Sequence, residues 1–116
     1  MTKTKILVTG GAGYIGSHAV LALQQSDYEV VILDNLVYGH QDFVDRQLHA
    51  ELAIGDTSDR ALLDDLFRKH NFAAVMHFAA FALVGESVEQ PHLYYGNNVL
   101  GSFHLLEAVR QAGVRK

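Results

Sequence analysis

Four glycines fall within the seven positions from Gly10 to Gly16 of the stretch VTGGAGYIGSH, and Asp34 stands 18 residues beyond the last of them. Glycine is costly in regular structure because it loses the most backbone freedom on folding. A cluster of this kind marks a place where backbone must come close to something. Two spacings overlap: Gly10, Gly13 and Gly16 make G-x-x-G-x-x-G, and Gly11, Gly13 and Gly16 make G-x-G-x-x-G. The chemistry that suits them is pyrophosphate binding. The first glycines permit a tight turn and a close backbone approach, and Gly16 lets the following helix pack near the sheet. The free N–H groups and the dipole at the helix start favour phosphate charge.

Asp34 adds a second chemical group. Its distance from Gly16 is close to the ~20 residues expected of a ribose-binding acid. A carboxylate there accepts hydrogen bonds from both adenosine ribose hydroxyls and repels a 2′-phosphate. No Lys or Arg occurs between Asn35 and Gln41, so the pair selects NAD over NADP. A purely structural turn is the competing reading of the glycines alone. A rival phosphate motif fails: Gly11 to Gly16 has the G-x-x-x-x-G spacing, but Ser17-His18 follows in place of Lys-Ser/Thr.

The seven histidines, His18, His40, His49, His70, His77, His92 and His104, show no H-x-x-x-H spacing and no accompanying carboxylate cluster. They do not make a metal site. His77 closes an apolar run and reads as a hydrogen-bonded core residue. Asp64-Asp65 reads as a solvated face.

The elements that must position these groups alternate regularly. Lys5-Ile6-Leu7-Val8-Thr9 is short, aliphatic and not alternating, as expected of a strand buried on both faces. YIGSHAVLALQQS reads as a helix with Ile15, Ala19, Ala22 and Leu23 on its apolar face. Glu29 to Leu33 returns as a second strand, completing a right-handed βαβ unit. A polar connection with a short helical turn, LVYGHQDFVDRQLHA, leads to a third strand in AELAIGD. Asp59 is placed as the N-cap of a helix whose apolar face is Leu62, Leu63 and Leu66. FAAVMHFAA is a fourth strand, and FALVGESVEQ a loop with a turn. Pro91 opens the last helix and Gly113 ends it. Tyr94-Tyr95 and the stripe Val99, Phe103 and Leu106 read as helix-packing residues. The expected fold is α/β, a Rossmann-type doubly wound parallel sheet with four strands in the order 3-2-1-4. The fold normally continues past a fourth strand, which would otherwise present an open apolar edge. Residues 1–116 are therefore expected to be the N-terminal part of an NAD-binding domain, with a substrate domain lying elsewhere.

Composition agrees with one ordered domain. Apolar residues make up 49% of the 116 positions, charged residues 19%, and there is one proline. The net charge of −4 supplies no basic footprint for nucleic acid. The absence of cysteine excludes disulfides and thiolate metal sites and suits a reducing compartment. No signal peptide and no membrane span are legible. A soluble, cytoplasmic protein is expected.

TGGAGYIGSH, LDNLVYGH, GDTSD, HFAA and VGESVEQPHLYYGNNVLGSFHLLEA, taken in order, resemble the extended short-chain dehydrogenase/reductase family, and within it the sugar-nucleotide epimerases. The resemblance spans nearly the whole chain. The glycine motif is shared across the superfamily, whereas DNL with GH, and VGES with P-x-x-YY-x-NN, belong more narrowly to the epimerases. It implies NAD as cofactor, a UDP-sugar as substrate and a homodimer formed through the last helix. The implied reaction interconverts UDP-glucose and UDP-galactose by transient oxidation at C4.

The resemblance also implies roles at matching positions. Tyr14 and Ile15 would present backbone to the pyrophosphate beside Gly10, Gly13 and Gly16. Asp34, Asn35, Leu36, Val37, Tyr38 and Gly39 would wrap the adenosine ribose. Asp56 and Thr57 would flank adenine; by residue type alone, Asp56 is equally a turn or cap residue. Phe78, Ala79 and Ala80 would line the groove past the fourth strand, although Phe78 alone reads as core. Asn97 would reach the cofactor from the last helix. Some members carry a lysine at the position of Ala82 that reaches the phosphates; Ala82 cannot.

The family's Tyr-x-x-x-Lys pair is missing. His18, Ile32, Asp42, Asn98 and Val99 stand four residues after the five tyrosines. A chain with these residues is expected to bind cofactor without performing the chemistry alone. The alternatives are a stand-alone NAD-binding module and another epimerase or a dehydratase of the same superfamily.

Overall fold

A computed structural model describes residues 3–116. Four strands form one parallel sheet: β1 (Lys5–Thr9), β2 (Glu29–Asp34), β3 (Glu51–Ile54) and β4 (Phe72–His77), in the order β3-β2-β1-β4. The expected order holds. Leu7 pairs with Val31 on one side and Val75 on the other, and Ile32 pairs with Leu52.

Strand alternation divides the apolar residues between two cores. Ile6, Val8, Val30 and Ile32 point to one face, where Val20 of helix α1 (Tyr14–Gln25) covers them with Val44 and Leu48. Val44 and Leu48 come from the connection after β2, which forms helix α2 (Gln41–Phe43) and a π-wound turn over Val44–Leu48. Leu7, Val31 and Leu33 point to the other face. They meet Leu63 and Leu66 of helix α3 (Arg60–Lys69) and Leu105 and Ala108 of the last helix. Each buried Val, Leu or Ile among them stabilises the fold by roughly 1.5–3 kcal/mol relative to exposure. A sheet covered on both sides explains why β1 and β2 read as unbroken apolar runs.

Asp59 caps α3 as expected, its carboxylate accepting the Leu62 N–H at 3.2 Å. Past β4 come α4 (Val84–Glu89), α5 (Pro91–Tyr94), a π-wound stretch over Tyr95–Leu100 and α6 (Gly101–Ala112). Pro91 occupies the first turn, and Gly113 closes α6 with φ +77°.

Three side-chain expectations need correction. The buried face of α1 is Gly16, Ser17 and Val20; Ile15 is 66% exposed and Ala22 is also exposed. The glycine turn aims the helix so that Ile15 projects past the sheet end. Val99, Phe103 and Leu106 are exposed, because Gly101, Leu105 and Ala108 take the inward face of α6. His77 is hydrogen-bonded but not core, since it ends an outer strand that is covered less fully than β1 and β2. The outer edge of β4 is met at Val75, whose N–H donates to the Lys116 carbonyl at 2.8 Å.

Candidate cofactor-binding site

A groove of about 350 Å³ opens at the C-terminal ends of the strands. It lies where the chain order reverses, with β2 and β3 on one side of β1 and β4 on the other. Ligands of open α/β sheets bind at this switch point.

The glycine turn forms its floor. Gly10 has φ +71°, and a Cβ there would stand 2.8 Å from the Ala79 nitrogen and the Phe78 carbonyl carbon. A Cβ on Gly16 would stand 2.1 Å from the Gly10 carbonyl oxygen. Any side chain at either position forces backbone apart. The turn is tied down by Gly10 N–H donating to the Leu33 carbonyl at 2.8 Å and Gly13 N–H to the Gly10 carbonyl at 3.1 Å. Helix α1 then begins with no side-chain cap. Tyr14, Ile15 and Gly16 line the groove there, so the first-turn N–H groups are available to an anion.

Asp34 faces this turn from the end of β2 and is 7% exposed. One carboxylate oxygen accepts the Ala12 N–H at 3.0 Å and the other the Leu36 N–H at 2.7 Å. Each oxygen keeps a lone-pair direction for a further donor. Leu36 adopts φ +64°, which folds the chain back over the carboxylate, and His40 N–H closes onto the Ala12 carbonyl at 3.2 Å. Asn35 donates to Asp56 at 2.7 Å, joining the loops after β2 and β3.

The groove gathers Gly10, Gly13, Tyr14, Ile15, Gly16, Asp34, Asn35, Tyr38, Gly39, Asp56, Thr57, Phe78, Ala79, Ala80, Ala82 and Asn97. Leu36 and Val37 do not line it; Val37 is 58% exposed on the outside of its loop. Phe78 is 36% exposed and forms groove wall rather than core. Thr57 is 5% exposed and sits against Gly101, where a Cβ would meet its hydroxyl at 2.6 Å.

Leu33, Gly55 and Phe81 also line the groove and were not singled out from the sequence. Leu33 and Gly55 immediately precede Asp34 and Asp56, so their neighbours in the chain signal them. Phe81 carries no local signal. Its backbone is gripped from 17 residues away, with its N–H donating to Asn98 Oδ1 and its carbonyl accepting from Asn98 Nδ2, both at 2.9 Å. Its ring packs edge-on against Tyr38 and Tyr94. The Tyr94 hydroxyl donates to Glu86 at 2.9 Å, and partial desolvation followed by that carboxylate raises its pKa.

Among the described residues, no group of three or more His, Asp or Glu side chains is placed to hold a metal ion. No helix among them is long and apolar enough to cross a membrane.

A parallel sheet with a glycine turn and an acid at the end of its second strand defines a dinucleotide-binding protein. Residues 6–116 match the NAD dependent epimerase/dehydratase family, and the chain belongs to that family. Over 114 residues it is 49% identical to the UDP-glucose 4-epimerase of Rhizobium leguminosarum bv. trifolii, covering 98% of this chain and 34% of that protein. A UDP-glucose 4-epimerase from Brucella ovis, solved in complex with NAD, superposes with a TM-score of 0.91 at 45% identity over 97% of this chain and 34% of that one. One from Stenotrophomonas maltophila, with bound NAD and formylated UDP-arabinopyranose, has a TM-score of 0.91 at 42% identity over 97% of this chain and 35% of that one. The chain spans about a third of the length of these relatives.

Proposed function

We propose that this chain binds the adenosine and pyrophosphate portion of NAD within an epimerase that interconverts UDP-glucose and UDP-galactose. The observation that carries the reading is the uncapped start of α1 and the glycine turn facing Asp34 across one groove. The residues fit the group. Side chains are missing where backbone must approach phosphates, and a carboxylate with spare acceptor capacity lies where a ribose would need it.

In this reading the N–H groups of Tyr14 and Ile15 neutralise pyrophosphate charge. Asp34 accepts from the ribose hydroxyls and disfavours a 2′-phosphate. The paired Asn35 and Asp56 flank the adenine side. Phe78, Ala79, Ala80, Ala82 and Asn97 form the wall leading to the reactive ring. When bound, a nicotinamide would supply hydride-transfer chemistry for the sugar's C4, and the groove wall would hold its ring in place. The chain contributes binding and orientation; none of its tyrosines has a lysine four residues on to serve as an acid–base pair.

The sugar is a finer matter than the cofactor. A structural relative holds a UDP-pentose derivative, which supports a UDP-sugar as substrate class and leaves other UDP-sugars as the second reading. The exposed apolar stripe of Val99, Phe103 and Leu106 suits a second subunit, in line with a homodimer.

The test is to purify the full gene product, denature it and measure released dinucleotide, then assay conversion of UDP-galactose to UDP-glucose. Released NAD with turnover supports the proposal. NADP in place of NAD, or no nucleotide binding at all, defeats it.

A further inference from the structure

His77, at the end of β4, stands between two hydrogen-bonded arms that grip the groove-lining loop after it. On one side is Thr9, which is fully buried. Its Oγ1 lies 2.6 Å from His77 Nδ1 and accepts the N–H of Phe78 at 3.1 Å and of Ala79 at 3.3 Å. The Phe78 N–H is shared with the Thr9 carbonyl at 2.9 Å. On the other side His77 Nε2 lies 3.0 Å from Ser102 Oγ, and Ser102 Oγ lies 2.6 Å from the Asn98 carbonyl. Asn98 in turn holds both backbone groups of Phe81 and accepts from Asn97 Nδ2 at 2.9 Å.

Donor and acceptor accounting assigns every proton in this chain. A hydroxyl has one hydrogen and two lone pairs. Both lone pairs of Thr9 Oγ1 are taken by amides, so its hydrogen points at His77 Nδ1, which must be bare. A carbonyl cannot donate, so the Ser102 hydrogen goes to Asn98 and its oxygen accepts from His77 Nε2–H. The imidazole is neutral and Nε2-protonated. A second proton on Nδ1 would face an oxygen with no free lone pair.

We infer that His77 is a positioning residue for the cofactor groove: as a neutral imidazole it holds the backbone of Phe78 and Ala79 through Thr9 and braces Asn98 through Ser102, and its protonation at Nδ1 loosens the Thr9 arm while leaving the Ser102 arm in place. The elements packed on it present Thr9, Asn98 and Ser102. No carboxylate or cation among the described residues pairs with it. Partial desolvation lowers its pKa, which keeps the arrangement intact at neutral pH. The consequence for NAD rests on the function proposed above; the consequence for the backbone does not.

The test uses the full gene product labelled with ¹⁵N-histidine. At pH 7.5 the His77 resonances should show a bare Nδ1 and a protonated Nε2. As His77 titrates in acid, the protection of the Phe78 and Ala79 amides against exchange, taken relative to their intrinsic rates, should fall, while that of the Phe81 amide should hold. NAD affinity should fall about tenfold over the same range, the usual scale for one lost hydrogen bond. His77→Asn keeps an acceptor for Thr9 and should remove the acid-side fall. His77→Gln keeps a donor for Ser102 and should hold Phe81 better than Phe78. An Nδ1-protonated ring at pH 7.5, amide exchange indifferent to His77 titration, or an acid limb that persists in His77→Asn would each overturn the inference. If no form binds NAD, the function proposal fails, and the amide exchange still decides this one.

Discussion

The two ends of the sheet hold a histidine in opposite settings. At the C-terminal end His77 sits between two hydroxyls, beside a groove lined by backbone and by the carboxylates of Asp34 and Asp56. At the N-terminal end His70 is 8% exposed and sits between charges: Lys5 Nζ lies 3.3 Å from its Nδ1, and Glu51 lies 2.9 Å from its Nε2. Lys69 reaches the same carboxylate at 3.4 Å. The ammonium can only donate, so Nδ1 of His70 accepts and Nε2–H donates to Glu51. That network links β1 and β3 to the end of α3 and satisfies itself. The other end leaves capacity unspent, which is what a ligand site requires.

Substitutions should separate the two ends. The largest effect is expected from Gly16→Val, whose Cβ must displace the Gly10 carbonyl. It should cost about 3 kcal/mol in urea unfolding and abolish NAD retention. Asp34→Ala comes next. It strips the Ala12 and Leu36 N–H groups of their acceptor, at about 2 kcal/mol, and NAD titration should show most of the affinity gone. Retained tight binding would remove Asp34 from the ribose role. Asp59→Ala loses one helix cap and should cost about 1 kcal/mol in thermal unfolding.

The smallest effect is expected at the opposite end. Glu51→Gln breaks the exposed Lys69 ion pair and weakens the hydrogen bond from His70, together about 0.5 kcal/mol after solvent screening, and should leave NAD affinity unchanged. Changed NAD affinity would mean that the two ends are coupled. The hydrogen bond from His70 lowers the Glu51 pKa in the folded protein. Its contribution is therefore present above the unfolded carboxylate pKa and lost as pH falls through the folded value. His77 acts higher in pH. Its folded pKa is lowered, so the unfolded chain takes up the proton first, and stability declines as pH drops below the ordinary histidine value. Unfolding of wild type and Glu51→Gln across pH 3 to 7 should show a smaller acid-side loss of stability in the variant, the remainder coming from other paired carboxylates such as Glu107.

Local chemistry made much of this readable in one dimension. Ile6, Leu7 and Val8 can be buried on both faces of a sheet without a polar group left over. Asp59 and Gly113 end helices through their own side chain and backbone freedom. The spacing of Gly16 and Asp34 places a turn and an acid at the ends of adjacent parallel strands, so their meeting follows from the register of β1 and β2. Side-chain facing was less legible. Ile15, Val99, Phe103 and Leu106 are apolar and periodic, yet exposed, because close packing at Gly16 and Gly101 sets which side of each helix turns inward.

Element order, strand order and the location of the phosphate turn were determined by the sequence itself, since each depends on contacts between near neighbours or on a single short crossover. Tertiary structure alone decided that Asn98 grips Phe81, that Thr9 and Ser102 clamp His77, and that Lys5, His70 and Glu51 close one end of the sheet. Those partners lie 17 to 68 positions apart. Hydrogen bonds of that reach exist only after the sheet register has brought the strand ends together, and no periodicity or spacing in the chain encodes them.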